Sequence, residues 1–231
     1  MISILCPTRK RPDKFRRMVE SVVETAKNGV EIVYYVDSDD HSYDDVFDGM
    51  FPIATRGFQG ARITMSDMWN RLIPHANGEL LMNSDDDCVF RTPGWNEMVE
   101  QVFDKCPDKI LLCYGDDGGP NGKNFATHPI VHRRWIETIG YFAGPGFSAD
   151  FADTWPQDVA DMIGRKKLLP FVTEHLHYLW NKAPDDEVYR ETRARMARDN
   201  TRFLYLTKKD ERSRDAAKLR AVMDHSWKVQ S

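Results

Sequence analysis

The sequence predicts an α/β fold built on a mostly parallel central sheet, with a helical C-terminal extension. Residues 2–6 form a short apolar run that stops at Pro7, which is typical of a buried strand. Residues 12–27 repeat apolar side chains at helical spacing and end at Asn28-Gly29, and residues 30–36 form a second apolar strand. A strand, a crossover helix of this length and a second strand indicate a parallel pair.

The alternation of strands and helices continues along the chain. A third short strand is predicted at residues 51–54, and a helix follows Ala61. The next strand, at residues 79–82, runs directly into an acidic segment. Beyond it we predict helices at 95–103, 133–139 and 154–163, strands at 110–114 and 168–172, and a polar, glycine-rich loop at 115–124.

Charge divides the chain into two parts. The net charge is −4, but residues 188–231 carry twelve Lys or Arg and six Asp or Glu, whereas residues 1–187 carry 20 and 30. We therefore expect an α/β domain over residues 1–184 and a basic helical extension over residues 185–231. The extension is interpreted either as a surface for a polyanionic partner or as a solvated helix face.

Composition limits the class of protein. Of the 231 residues, 41% are hydrophobic and 29% are charged, which excludes collagen, a disordered chain and a disulfide scaffold. No apolar stretch approaches the roughly 18–20 residues that span a bilayer. The first residues lack the layout of a signal peptide, and the four cysteines show no CxxC spacing. These features predict a cytoplasmic protein with no membrane span.

Three predicted strands end in polar loops that should share one edge of the sheet. The loops are Pro7-Thr8-Arg9-Lys10-Arg11, Asp37-Ser38-Asp39-Asp40 and Asp85-Asp86-Asp87. Because ligands of parallel α/β sheets bind at the carboxyl ends of the strands, this edge is the predicted site. Converging carboxylates favour a bound Mg²⁺ or Mn²⁺, and Arg9 and Arg11 suit phosphate oxygens. A solvated acidic turn is the alternative interpretation.

The order of these motifs resembles that of a known enzyme family. CPTRKRP, YYVDSDD and LLMNSDDD are followed by RTPGW, THPIVHRRW, GYF, DTW and EHLH, over about residues 1–182. This succession is similar to the GT-A glycosyltransferases, particularly the family 2 type, of the kind encoded by phages and bacteria. The resemblance implies a GT-A fold and metal-dependent, inverting transfer of a sugar from a nucleotide-sugar, expected to be a UDP-sugar, to an acceptor hydroxyl.

The resemblance also implies which residues bind the donor. The first strand-end loop would hold the nucleotide, and Asp37 or Asp39 would accept hydrogen bonds from the base or ribose. Asp85 would face the ribose. The expected nucleotide-binding residues are Pro7, Thr8, Arg9, Arg11, Asp37, Asp39, Arg62, Asn70, Asp85 and Asp86.

A metal site and a catalytic base follow from the same resemblance. Asp87 would bind the metal ion, and His177 or His175 would complete the coordination. The base of this family is a carboxylate that follows GYF and takes the proton of the acceptor hydroxyl, for which Asp153 is the first candidate and Asp150 the second. Asp153 is also interpreted as the N-cap of the helix at 154–163.

The sequence also offers candidates for the substrate pocket, for the acceptor and for alternative functions. Trp95, His128 and Trp155 are candidates for lining the sugar or acceptor pocket, with packing in the core as the alternative. One expected acceptor is a hydroxymethylated base of phage DNA, presented by the basic extension. The rivals are a nucleotidyltransferase with a similar sheet and a nucleic-acid-binding module that uses the C-terminal arginines. The YGDD at 114–117 matches a polymerase motif, but the chain is short for a polymerase.

Overall fold

A computed structural model describes residues 1–43, 53–120 and 122–229. Its strands are β1 (Ile2–Thr8), β2 (Val30–Asp37), β3 (Ala54–Gly60), β4 (Leu80–Asn83), β5 (Cys88–Phe90), β6 (Leu112–Asp116), β7 (Ile130–His132) and β8 (Lys166–His175). Its helices are α1 (Pro12–Thr25), α2 (Met65–Leu72), α3 (Trp95–Asp104), α4 (Arg133–Ile139), α5 (Thr154–Ile163), α6 (Glu187–Asp199), α7 (Thr201–Thr207) and α8 (Lys209–Val222). Within the described ranges the strands form one sheet in the order β3-β2-β1-β4-β7-β6-β8-β5.

Half of the sheet is parallel and carries the predicted crossover. Strand β1 pairs in parallel with β2 and β4, and β2 pairs in parallel with β3. The register places Ile4 beside Ile32 and Met82, so that three apolar strands lie side by side. The predicted α/β class with a mostly parallel sheet is confirmed. This pairing brings the residues that follow β1, β2 and β4 to one edge.

The other half of the sheet combines antiparallel pairs with the parallel pair of β6 and β8. Strand β7 lies antiparallel between β4 and β6, and β5 pairs antiparallel with the end of β8. Strands β5 and β7 are not predicted from the sequence, because strands of three residues are too short to show a period. Strand β8 extends to His175, three residues beyond the predicted end, and thereby carries His175 to the acidic segment that precedes β5.

The third strand differs from the expectation. It was predicted at residues 51–54, whereas β3 begins at Ala54 and runs to Gly60. Residues 51 and 52 lie outside the described part of the chain. Among the described strands, ATRGFQG pairs only with β2, and it is largely exposed, so it needs no continuous apolar run. An edge strand of this kind gives little hydrophobic signal.

Each face of the sheet is covered by helices. On one face Phe15, Val22 and Phe103 of α1 and α3 pack on the sheet residues. On the other face the buried side chains of α2, α4, α5 and α8 include Trp69, Trp135, Trp155 and Leu219. The C-terminal segment is helical, as predicted, and its last helix is part of this second core. No helix in the described ranges is both long enough and apolar enough to cross a bilayer.

Candidate functional site

A cavity of about 670 Å³ opens at the carboxyl ends of the parallel strands. Its wall includes the loop after β1, Asp37 at the end of β2, and the acidic segment after β4. The segment 148–154, the end of β8 and helix α6 close the remaining sides. The structure therefore brings together these predicted site residues: Pro7, Thr8, Arg9, Arg11, Asp37, Arg62, Asp85, Asp86, Asp87, Asp150, Asp153, His175 and His177.

The arginines of the first loop are held by carboxylates. Arg9 Nη1 donates to Asp37 Oδ2 at 3.1 Å and to Asp39 Oδ1 at 2.5 Å. The hydrogen bond from Arg9 holds the pKa of Asp39 low, at about 2. Arg62 approaches the same oxygen of Asp37, with 3.7 Å between its Nε and Asp37 Oδ2. Burial nevertheless raises the pKa of Asp37, against the opposing effect of the two arginines.

Asp86 connects the first loop to the acidic segment. Its carboxylate accepts a hydrogen bond from Thr8 Oγ1 at 2.8 Å and one from Arg11 Nη1 at 3.2 Å. Burial raises the pKa of Asp86 to about 6, although the positive charge of Arg11 opposes this. Asp86 is thus tied to the protein, and it fixes the relative positions of two strand ends.

Asp87 is the most fully bonded carboxylate of the segment. His175 Nε2 lies 3.0 Å from Asp87 Oδ1, and the Tyr189 hydroxyl donates to Asp87 Oδ2. Burial alone would raise the pKa of Asp87, but the hydrogen bond and charge of His175 outweigh it, together with Arg11, and hold that pKa well below its usual range. Burial would lower the pKa of His175, yet its bond to Asp87 raises it to about 9.

Asp85 and two histidines form a group that could hold a metal ion. One potential ligand atom each from Asp85, His128 and His175 lie within 4.8 Å of one another. Asp85 Oδ2 is 3.8 Å from His128 Nε2 and 4.0 Å from His175 Nε2. His128 Nε2 is buried and has no hydrogen-bond partner among the described residues. An orphaned imidazole nitrogen facing a carboxylate fits a divalent cation, and imidazole suits Mn²⁺ better than Mg²⁺.

The predicted His177 lies beside this group. It lines the cavity, and its Nδ1 accepts a hydrogen bond from the backbone N–H of Leu179 at 3.3 Å. Burial, followed by the charge of His175, lowers its pKa. The geometry places His175, and not His177, within reach of both Asp85 and Asp87.

Both candidate bases lie on the cavity wall. Asp153 Oδ1 accepts a hydrogen bond from the backbone N–H of Thr154 at 2.7 Å, so Asp153 is the N-cap of α5. Burial, and next the charge of Asp85, raises the pKa of Asp153 to about 7. Burial also raises the pKa of Asp150. The capping bond uses one carboxylate oxygen, so capping does not prevent Asp153 from accepting a proton.

Four predicted residues lie elsewhere. Asn70 is bonded to the backbone of residues 142 and 143, its Oδ1 accepting from Phe142 N at 2.9 Å. The Trp95 ring is buried in the core against Phe90 and Phe171. Trp155 is also fully buried, and its Nε1 donates to an aspartate of α8 at 3.1 Å. Asp39 is exposed and pairs with Arg9 outside the cavity wall. His128 does not line the cavity either, but it belongs to the group with Asp85 and His175.

Helix α6 supplies cavity residues that the sequence gave no reason to choose. The Tyr189 ring lies 4.0 Å from the Arg11 guanidinium carbon, and Arg195 Nη2 donates to Ile63 O at 2.6 Å. Tyr189, Arg195 and Met196 all line the cavity. The only signal in the sequence was the Arg-rich composition of the segment, which does not reveal that the helix packs against the strand ends.

Solved structures share this arrangement of strands and helices. No protein-family model matches the chain, and no curated protein matches it. The mannosyltransferase PcManGT from Pyrobaculum calidifontis, in complex with GDP-Man and Mn²⁺, is 14% identical and has a TM-score of 0.60, covering 84% of this chain and 60% of its own. The chain has a GT-A-like glycosyltransferase fold.

A second solved protein has the same fold. S. aureus TarS 1-349 in complex with UDP-GlcNAc is 12% identical with a TM-score of 0.57, covering 86% of this chain and 66% of its own. The same protein in complex with UDP is 16% identical with a TM-score of 0.56, covering 75% and 60%. The chain thus spans 60 to 66% of the length of these structures.

Proposed function

We propose that this chain transfers a sugar from a nucleotide-sugar to an acceptor hydroxyl with the help of a divalent cation. The observation that carries the proposal is the convergence of Arg9, Arg11 and the aspartates 85–87 on one cavity at the strand ends. Basic side chains and a cation-binding group in one cavity suit a diphosphate. A similar fold in a mannosyltransferase that holds GDP-Man and Mn²⁺ supports the same conclusion.

The donor would lie along the edge formed by β1, β2 and β4. Asp37, which contacts Arg9 and Arg62, would accept hydrogen bonds from the base or ribose. We propose a UDP-sugar as the donor. GDP-sugars are the alternative to test, because the similar solved structures contain one or the other.

The cation would be held by Asp85, His128 and His175, and His175 Nε2 would give up its proton to bind it. Asp87 Oδ1, now 3.0 Å from that nitrogen, would then be a further ligand of the cation. When bound, it would neutralise charge on the departing nucleoside diphosphate. It would add positive charge beyond that of Arg9, Arg11 and Arg62, each of which already faces a carboxylate.

Asp153 is the proposed base, with Asp150 as the second candidate. In the reaction the acceptor oxygen forms a bond to the anomeric carbon, the bond from that carbon to the phosphate oxygen breaks, and the acceptor proton passes to the carboxylate. A pKa of about 7 suits a base that must be ionised yet able to hold a proton. Direct displacement by the acceptor would invert the anomeric configuration.

The acceptor is proposed only as a hydroxyl compound. That the acceptor is DNA remains a prediction. The C-terminal arginines give it little support, because many of them form ion pairs with carboxylates of the protein itself. Arg193 pairs with Asp185 at 2.8 Å, and Arg198 pairs with Asp199 at 2.7 Å. Arg212 is buried against Asp158 at 3.1 Å. These contacts also weaken the case for a nucleic-acid-binding module.

Titration calorimetry with UDP and GDP, with and without Mn²⁺, tests the proposal. We expect one nucleotide to bind in the presence of Mn²⁺ and the Asp85→Asn variant to lose most of that binding. Asp104→Asn, an exposed change on α3, is the matched control and should bind like the wild type. If neither nucleotide binds to the wild type with Mn²⁺ present, the proposed transferase function is wrong.

A further inference from the structure

The backbone between the two candidate bases is strained. Phe151 has a φ of +72°, in the left-handed region that bulky side chains rarely adopt. Its neighbours are Asp150 and, two residues on, Asp153, and all three line the cavity. A non-glycine residue holds such a conformation only when surrounding contacts enforce it.

The enforcing contact comes from the C-terminal helices. The Phe151 ring stacks on the Tyr205 ring of α7, with ring centroids 4.5 Å apart and an interplanar angle of 19°. The Phe151 carbonyl accepts the backbone N–H of Trp155 at 3.1 Å, which is the first hydrogen bond of α5. The ring stack therefore holds the side chain of Phe151, and the start of α5 holds its backbone.

Tyr205 is itself fixed on both faces and at its hydroxyl. The Arg212 guanidinium carbon lies 3.7 Å from the Tyr205 ring centroid, and Arg212 Nη1 donates to Tyr205 O at 2.7 Å. The Tyr205 hydroxyl donates to Asp158 Oδ2, and Arg212 Nε is 3.1 Å from the same carboxylate. Arg212 is only 4% exposed, so this group is a rigid support rather than a surface contact.

We infer that Tyr205 is a positioning residue that holds the 148–153 turn, and with it Asp150 and Asp153, against the cavity. Two more bonds join the same segments: the Ser148 hydroxyl donates to Asp199, and Lys208 Nζ donates to Pro145 O at 3.1 Å. The basic C-terminal segment thus serves to place the base. This inference rests on the proposed function only in the role it gives to Asp153.

Two measurements test this inference. Both are made on Tyr205→Ala, on Tyr205→Phe and on the control Phe203→Ala. Phe203 lies on the same helix but is 63% exposed. Hydrogen exchange should rise in residues 147–153 of Tyr205→Ala, while the strands β1 and β2 stay protected, and Tyr205→Phe should exchange like the wild type because it keeps the stack. Unchanged exchange at 147–153 in Tyr205→Ala would overturn the inference.

The second measurement is hydrolysis of UDP-GlcNAc or GDP-Man, with water as acceptor and Mn²⁺ present. We expect Tyr205→Ala to lower kcat on the order of 10- to 100-fold, because the base is misplaced, and to leave the KM for the donor nearly unchanged. Tyr205→Phe should retain most of the activity. Greater exchange with an unchanged kcat would overturn the positioning role.

The variant Phe151→Gly is the control for a folding defect in Tyr205→Ala. Glycine adopts a φ of +72° without strain but removes the ring stack, so the variant should fold, show the same increase in exchange and lose kcat. A Phe151→Gly protein with wild-type kcat would contradict the inference. If the wild type does not bind nucleotide, that result counts against the proposed function. The hydrogen-exchange experiment would still decide whether Tyr205 holds the 148–153 turn.

Discussion

Arg62 Nη2 and Glu191 Oε2 form a 2.6 Å ion pair that joins helix α6 to the loop before α2. The same carboxylate group lies 3.3 Å from Arg9 Nε and from Lys10 Nζ. Arg11 is paired in the same way with Asp186, at 2.6 Å. Carboxylates of the C-terminal segment therefore contact the basic side chains that the proposed donor site offers to a diphosphate.

Replacing Glu191 should strengthen nucleotide binding. In Glu191→Gln the phosphates no longer compete with a carboxylate for Arg9 and Arg62, so we expect UDP or GDP to bind severalfold more tightly, on the order of 1 kcal/mol. Calorimetry with Mn²⁺ measures the change. Glu137→Gln, on the exposed part of α4, is the control. Weaker binding by Glu191→Gln would mean that Glu191 orients the arginines for the nucleotide instead of competing with it.

Asp153 sets the expected pH dependence of the reaction. Its pKa is raised to about 7 by burial and by the charge of Asp85, so the ionised base becomes more abundant as the pH rises. The rate of donor hydrolysis should increase about tenfold per pH unit below pH 7 and level off above it. Asp153→Asn should lower the rate by roughly 10²–10⁴-fold. A rate that does not vary between pH 5.5 and 8 would exclude Asp153 as the base.

The same carboxyl group should cost stability at high pH. Its pKa in the folded protein lies above the unfolded value of about 3.9, so the folded state holds a proton between about pH 4 and pH 7 that the unfolded state releases. Stability is therefore lost as the pH rises through this range, and the full penalty is present above pH 7.

Asp153→Asn should remove that penalty. The free energy of unfolding in urea should exceed that of the wild type by about 1–3 kcal/mol at pH 8 and match it near pH 4. Asparagine is as good an N-cap as aspartate, so helix α5 keeps its cap. An Asn variant that is less stable than the wild type at pH 8 would show that the carboxylate is stabilised in the fold, in conflict with its raised pKa.

His128 should determine the choice of metal ion. With two imidazoles and one carboxylate, the Asp85 group should bind Mn²⁺ more tightly than Mg²⁺ in the presence of nucleotide. In His128→Gln, Mn²⁺ affinity measured by electron paramagnetic resonance should fall by about 10- to 100-fold. His225→Gln, an exposed change, is the control. Unchanged Mn²⁺ affinity in His128→Gln would assign the metal to the aspartates alone.

The strand ends that line the cavity could be predicted from the sequence, whereas its side walls could not. Parallel pairing of apolar strands dictates that Arg9, Asp37 and Asp85 share an edge, and that follows from local pattern alone. Tyr189 and Tyr205 lie more than a hundred residues further along the chain. Their positions depend on how helices α6 and α7 dock, and no local pattern encodes that docking.

The aromatic and amide candidates show a second limit. Trp95 and Trp155 are predicted from residue type and neighbourhood in the sequence, and Asn70 is predicted from the resemblance to the GT-A glycosyltransferases. The tryptophans occupy apolar positions of α3 and α5 that face the sheet, and the amide of Asn70 serves the backbone of residues 142 and 143. A helical pattern shows which face is apolar, but it does not show which loop a polar side chain meets.

Helix α8 has a consequence for how the protein is made. Its Asp215 accepts hydrogen bonds from Trp155 Nε1 and from the Tyr141 hydroxyl, and its Ala216 and Leu219 are buried in the second core. A ribosome that has released only the first 200 residues has therefore not yet supplied the surface on which α4 and α5 settle. The nascent chain holds those helices uncovered until α8 has emerged, so chaperone capture and a short delay between the synthesis of α5 and that of α8 should both raise the yield of active protein.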